Sequence, residues 1–338
     1  MPPATCIAGV CVGPGCPNAV CDDGENQCTC PADCPASCGD GCCSPTESCE
    51  GCAADCGACP ILAGAGDIAT CDADGTPDSD CEATALLLDA IFPPGTPLSA
   101  GMVFTAGDNA YLDGTDLEFA NCYDPTWGRH RPRTWPTPGN HDYNTPNATG
   151  YFNYFGAAAG NPAEGWYAHD LGDWRVYALN SNCWDGIGEC DVGSPQFEWL
   201  EADLEANPRL CQVAYWHHAR WSSGEHGSST RMLDIWALLV ARGADLVLVG
   251  HDHDYERFAP LDVLGNPAAS GGTRQIVVGT GGSHLRDIWA DPPLPGSEVR
   301  QATTHGILRV DLLSSGYQWE FIPEAGGTFT DSGSSACH

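Results

Sequence analysis

Lysine is absent from this 338-residue chain: all 13 of its basic residues are arginine, against 45 aspartates and glutamates, for a formal net charge of −32. A surface this acidic repels nucleic-acid phosphate and anionic lipid, which argues against nucleic acid and membrane as partners. It does not exclude a small anionic substrate, because a bound metal ion inverts the field inside a pocket. Nor does any run approach the roughly 20 apolar residues of a membrane span. No basic stretch followed by an apolar one opens the chain, which begins MPPATCIAG. A secretory leader has therefore been removed, or the chain is written without one.

Aromatic residues are missing from positions 1–59, which contain no Phe, Tyr or Trp. That segment cannot bury enough apolar area to fold around a core, so covalent cross-links must hold it. The cysteines agree: of 21, fourteen lie in the first 59 residues and seven after residue 70. This density indicates an oxidising compartment and a secreted or extracellular protein, with the periplasm or a cell surface as variants. Cys16, Cys21, Glu25, Cys30 and Cys34 recur 22 residues later as Cys38, Cys43, Glu47, Cys52 and Cys56. Two small disulfide-knotted units are expected, and nothing in them names a partner. Residues 1–59 are read as a Cys-rich repeat domain and 60–338 as the catalytic domain.

From Ile61 onward short apolar runs alternate with helical patterns. ILAGAGD, MVFTAGD, CQVAYWHH and ADLVLVGHDH each end at a polar residue, and the later RQIVVGTGG, GILRVDL and GYQWEFI are strand-like as well. Helices are expected over 82–92 (EATALLLDAIF), over 194–208 with Ser194 as N-cap and Pro195 at the first position, and over 229–243, closed by Gly243. Strand and helix alternate, so the fold class is α/β. Cysteine spacing pairs Cys71 with Cys81 and Cys183 with Cys190. Cys122, Cys211 and Cys337 remain, one of them unpaired or joined to Cys59.

In such folds, loops leaving the carboxyl ends of strands form the ligand crevice. Read in order, those loops supply Asp67 from GDIA, Asp108 and Tyr111 from GDNAY, and Asn140, His141 and Asp142 from GNHD. AYWHH adds His217 and His218, and GHDH adds His251 and His253. In an extended chain residues i and i+2 point the same way, so His251 and His253 can share a face. Imidazoles beside carboxylates suit a transition metal, and seven such donors suffice for two metals sharing a carboxylate.

This set resembles the calcineurin-like metallophosphoesterases, and within them the purple acid phosphatase group, whose pattern is GDxG, GDxxY, GNH(D/E), VxxH and GHxH. Ala69 and Ala214 depart from it at positions that are not ligands. WHHARWSSGEHG, GHDHDYERF and VVGTGG look like secreted bacterial members. The resemblance implies a four-layer α/β/β/α sandwich. It implies one metal on Asp67, Asp108, Tyr111 and His253, and a second on Asp108, Asn140, His217 and His251. A phenol has a pKa near ~10, and a trivalent cation removes its proton most readily. Tyr111 therefore implies Fe(III) at the first site, with Zn, Fe or Mn at the second. The implied reaction is hydrolysis of small phosphorylated substrates, phosphomonoesters first, by in-line attack of a metal-bound hydroxide. His141 is the first candidate for protonating the leaving group, with Asp142 orienting its ring; His226 and His218 are further candidates. Arg129, Arg131, Arg133 and Arg220 are candidates for holding substrate anions. A phosphodiesterase or nucleotide pyrophosphatase on the same metals, and a non-enzymatic surface-binding protein with structural metals, are the alternatives.

Overall fold

The computed structural model describes residues 5–7, 10–12 and 48–338. The chain divides into two compact units, Met1–Pro60 and Ile61–His338. In the first, β1 (Thr5–Ile7) pairs antiparallel with β2 (Val10–Val12). One helical turn spans Ala53–Cys56, and a disulfide joins Cys49 to Cys59, not Cys59 to a cysteine of the second unit. Most of the repeat, from Cys16 through Glu47, lies outside the described residues.

The second unit is built on two sheets. β3 (Ile61–Ala65), β4 (Gly101–Ala106) and β5 (Thr134–Thr137) run parallel. They continue through the antiparallel β13 (Gly306–Leu313), β14 (Gly316–Pro323) and β15 (Asp331–Ala336), giving a six-stranded sheet in the order β15-β14-β13-β3-β4-β5. The other sheet holds β6 (Tyr167–Leu171), β7 (Trp174–Ala178), β8 (Cys211–His218), β9 (Leu246–Gly250), β10 (Tyr255–Phe258), β11 (Arg274–Val278) and β12 (Ser297–Gln301). Its seven strands lie in the order β12-β10-β11-β9-β8-β7-β6, with β7, β8, β9 and β11 parallel.

Side-chain alternation explains the layering. In β8, Val213 and Tyr215 join Leu62, Phe104 and Val310 in the core between the sheets, while Ala214 and Trp216 point the other way. In β9, Leu246 and Leu248 face inward and Val247 and Val249 outward. Both faces are covered, which is why these strands read as unbroken apolar runs. The outward set is capped by α3 (Pro195–Ala206) through Phe197, Leu200 and Leu204, and by α4 (Leu233–Ala241) through Ile235, Trp236 and Leu239. The six-stranded sheet is capped by α1 (Ser79–Ile91), whose Cys81, Ala85 and Leu88 form one buried stripe. The result is the helix–sheet–sheet–helix sandwich. A short helix, α2 (Thr149–Phe155), lies beyond β5.

Local chemistry sets the helix ends. The Ser194 side chain accepts from the Phe197 amide, and Pro195 fills the first position. Helix α4 begins at Leu233, later than the sequence pattern suggests. Its expected first turn is drawn away: the Ser229 amide donates to the Ala219 carbonyl, and Arg231 donates to the Cys183 carbonyl and to Asp185. Gly243, at φ 75°, follows the helix end as expected.

Three disulfides tie this unit: Cys71–Cys122, Cys183–Cys190 and Cys211–Cys337. The expected Cys71–Cys81 bridge is wrong. Cys81 is a free thiol on the buried stripe of α1, donating to the Asp78 carbonyl at 2.9 Å. Burial pushes that thiol up to about 12.

Candidate metal centre

The parallel strands of both sheets end on the same side, and the polar residues that terminate them meet there. Asp67, Asp108 and His251, each the first or second residue past a strand, adopt left-handed backbone with φ of 59°, 50° and 73°. Non-glycine residues avoid that region unless their surroundings impose it, and such strain gathers at functional sites. The neighbouring glycines make room. Gly107 takes φ 81°, and a Cβ there would sit 2.6 Å from the His217 ring; a Cβ on Gly250 would sit 2.6 Å from Asp67 Oδ2.

The seven side chains picked out as metal donors lie in two groups. In one, the Tyr111 hydroxyl is 2.8 Å from Asp67 Oδ1, 3.0 Å from Asp108 Oδ2 and 3.2 Å from His253 Nε2. In the other, His217 Nε2 is 3.3 Å from Asp108 Oδ2, 3.0 Å from Asn140 Oδ1 and 3.2 Å from His251 Nδ1. Asp108 Oδ2 belongs to both. Outer contacts aim the donors: His217 Nδ1 donates to the Ala106 carbonyl at 2.8 Å and His253 Nδ1 to the His284 carbonyl at 2.7 Å. Each ring is left with an Nε2 lone pair facing inward. The second carboxylate oxygens are held by backbone amides, Asp67 Oδ2 by His251 and Asp108 Oδ1 by His141, both at 2.8 Å.

The electrostatics fit cations. Asp67 and Asp108 are buried, and among the described residues no arginine pairs with either. Burial alone would raise both carboxyls, yet His253 beside Asp67 and His217 beside Asp108 hold them below their ordinary range. Burial likewise opposes charge on His217, but Asp108 pushes its imidazole up to about 9. Burial, then Asp108 and Asp67, drive the Tyr111 phenol well above its usual value, so a phenolate there requires a cation. Two buried carboxylates, a buried phenol and inward-facing imidazoles form a donor set that two metal ions suit.

The other candidates occupy different positions. His141 Nδ1 donates to the Leu112 carbonyl at 2.6 Å, and its Nε2 lies 3.9 Å from Asp108 Oδ2. Asp142 does not orient that ring. Its buried carboxylate accepts instead from the amides of Gly139 and Asn109 and from the Asn109 side chain, bracing the loop from behind. Burial, then Asp108, pushes Asp142 up to about 7. His218 is buried, hydrogen-bonded through Nδ1 to the Ser181 hydroxyl at 2.9 Å, and burial holds its imidazole well below the ordinary value. His226 is exposed and stacks on His251 with ring centroids 4.3 Å apart.

A crevice of about 480 Å³ opens over this centre, lined by Asn140, His218, His226, His251, Trp184 and Arg231, with Ser228 to Thr230 between them. None of the four arginines proposed for substrate anions reaches it. Arg129 pairs with Glu82 and Asp89, Arg131 lies over the Tyr154 ring, Arg133 donates to the Gly101 and Thr96 carbonyls, and Arg220 lies over Trp221. Sequence reading missed Trp184 and Arg231. Trp184 is 54% exposed, in left-handed backbone (φ 72°) inside the loop closed by Cys183–Cys190, with the Arg231 guanidinium 5.7 Å from its ring. The short cysteine spacing was the available signal: a clamped loop beside a strand end.

Comparison with known proteins follows the same lines. The family model for calcineurin-like phosphoesterases matches residues 62–255. Purple acid phosphatase 22 of Arabidopsis thaliana is 28% identical over 231 residues, covering 60% of this chain and 51% of the relative. A nucleotide pyrophosphatase/phosphodiesterase of Hordeum vulgare is 24% identical over 263 residues, covering 64% and 69%. Among solved structures, a purple acid phosphatase from yellow lupin (Lupinus luteus) seeds superposes with a TM-score of 0.67 at 19% identity, over 82% of this chain and 53% of that one. The chain thus spans about half the length of the phosphatases it matches.

Proposed function

Because the chain belongs to the calcineurin-like phosphoesterase family, in its purple acid phosphatase-like group, we propose that it is a phosphoric ester hydrolase with a dinuclear metal centre, acting on phosphomonoesters. One observation carries this reading: Asp108 Oδ2 is 3.0 Å from the Tyr111 hydroxyl and 3.3 Å from His217 Nε2, so a single oxygen faces both donor groups. Asp67, Asp108, Tyr111 and His253 would hold one cation; Asp108, Asn140, His217 and His251 would hold the other. The phenol favours Fe(III) at the first, with Zn, Fe or Mn at the second. When bound, the pair supplies Lewis acidity toward phosphoryl oxygens and a water acidic enough to attack near neutral pH.

The chain's own groups do the remaining work. His141 is anchored at Nδ1 and presents Nε2 beside Asp108, where it can hold the proton that the leaving alkoxide needs. His226, stacked on His251 at the crevice mouth, positions the phosphate ester. His218, locked to Ser181, supports the His251 ring rather than moving a proton. Asp142 keeps the Asn140 loop in place. The disulfides support an extracellular setting.

The test compares hydrolysis of p-nitrophenyl phosphate and bis-p-nitrophenyl phosphate by metal-replete protein. Faster release from the monoester is expected, with turnover falling about 100-fold or more in His141→Ala while metal content stays unchanged. Faster cleavage of the diester would assign the chain to phosphodiesterases. No hydrolysis of either ester by fully metallated protein would overturn the enzymatic reading.

A further inference from the structure

Away from the crevice, three side chains from distant parts of the chain converge: Asp80 in the first turn of α1, His305 just ahead of β13 and Glu324 just past β14. The His305 ring is buried, at 7% exposure. Its Nε2 donates to the Ser283 carbonyl at 2.9 Å. A carbonyl only accepts, so the proton sits on Nε2 and Nδ1 of the neutral ring carries a lone pair. That lone pair faces Asp80 Oδ2 at 3.6 Å and Glu324 Oε1 at 3.8 Å. Among the described residues, nothing hydrogen-bonds to Nδ1.

A lone pair opposed by two carboxylates is repulsive, so positive charge belongs in the gap. The distances decide its nature. A proton on Nδ1 would draw a carboxylate to about 2.7–2.9 Å, and neither oxygen comes that close. Donors each about 2.0–2.2 Å from a tetrahedral cation stand roughly 3.4 Å from one another, near the observed 3.6 and 3.8 Å. The carbonyl-anchored imidazole is also the arrangement by which proteins fix a metal-binding histidine.

We propose that Asp80, His305 and Glu324 hold a further divalent cation, separate from the seven-residue centre. One imidazole with two carboxylates and open positions for water suits Zn²⁺. The site ties the start of α1 to the β13–β14 hairpin. It also braces the crevice from outside. Ser283, which accepts from His305, donates its amide to the Asp67 carbonyl at 2.9 Å, and Gly281 donates to the Gly66 carbonyl at 3.0 Å. The cation therefore steadies the loop against which the strand end carrying Asp67 is pinned.

The experiment saturates the full chain with Zn²⁺, removes free metal by gel filtration and counts bound metal in wild type and in Asp80→Asn/Glu324→Gln. The double variant is expected to hold one equivalent less, and its unfolding midpoint to rise less with added zinc than the wild type's does, because only the seven-residue centre is left to bind the ion. Because the result is a difference between two proteins, it stands apart from whether the seven-residue centre holds two ions. Equal metal content in the two folded proteins would overturn the proposal. Should the double variant fail to fold, wild-type crystals soaked in zinc decide: an anomalous peak between the three side chains supports the site, and a blank map there overturns it.

Discussion

At the scale of single residues, a tyrosine and a tryptophan set the behaviour of the crevice. Tyr111 is buried between Asp67 and Asp108; its burial, then their charges, keeps its phenol protonated unless a cation intervenes. Tyr111→Phe is therefore expected to abolish the visible charge-transfer absorption of the metal-loaded protein while far-UV circular dichroism is unchanged. A colourless wild type carrying two divalent ions would refute the ferric assignment and leave the hydrolase reading intact. Trp184 is the exposed aromatic face at the crevice, held by a clamped loop and by Arg231. An aromatic leaving group can stack on it for about 1 kcal/mol. Trp184→Ala should raise KM for p-nitrophenyl phosphate roughly fivefold and leave KM for a short alkyl phosphate unchanged; an equal change for both esters would remove the shelf. The proposed metal donors were legible because each lies at the end of a strand or in the few residues beyond it. Trp184 was not, since its role depends on where a disulfide loop folds back.

At the scale of elements, the strands read from apolar runs appear where expected, because burial on both faces writes itself into composition. β15 was invisible: DSGSSA carries no strand signal, and it forms by pairing with β14 while Asp331 accepts from Tyr255, Arg257 and Trp319. Disulfide partners were equally hidden wherever they join distant elements. Cys71 bridges to Cys122 across 51 residues, past the nearer Cys81, whose position on α1 turns it into the core. Cys211–Cys337 spans 126 residues and fastens the end of β15 to the start of β8. Closing so long a loop restrains the unfolded chain strongly. Replacing both cysteines with serine is expected to cost about 2–4 kcal/mol in urea unfolding, with activity retained in the folded fraction. No change in the urea midpoint would contradict that role for the bridge.

At the scale of the whole molecule, a formal charge of −32 with no lysine dominates. Self-repulsion destabilises the compact state, and salt screens it over about 8 Å at physiological ionic strength. The unfolding midpoint should rise as sodium chloride is increased from a few millimolar to about 0.15 M; a fall would show that attractive pairs such as Arg175–Asp203 and Arg257–Asp331 outweigh the repulsion. Fold class and both donor groups could be read from the chain because local pattern and global layering agree. The Asp80, His305 and Glu324 cluster could not, because its members share no motif and meet only once α1 packs beside the β13–β14 hairpin. The proposed dinuclear centre depends on one aspartate serving two metals. It is tested most directly by anomalous diffraction from crystals of the metal-loaded protein, collected at the iron and zinc edges. Two peaks flanking Asp108 are expected, one beside Tyr111 and His253, the other beside His217 and His251. A single peak, or ions bound away from Asp108, would contradict it.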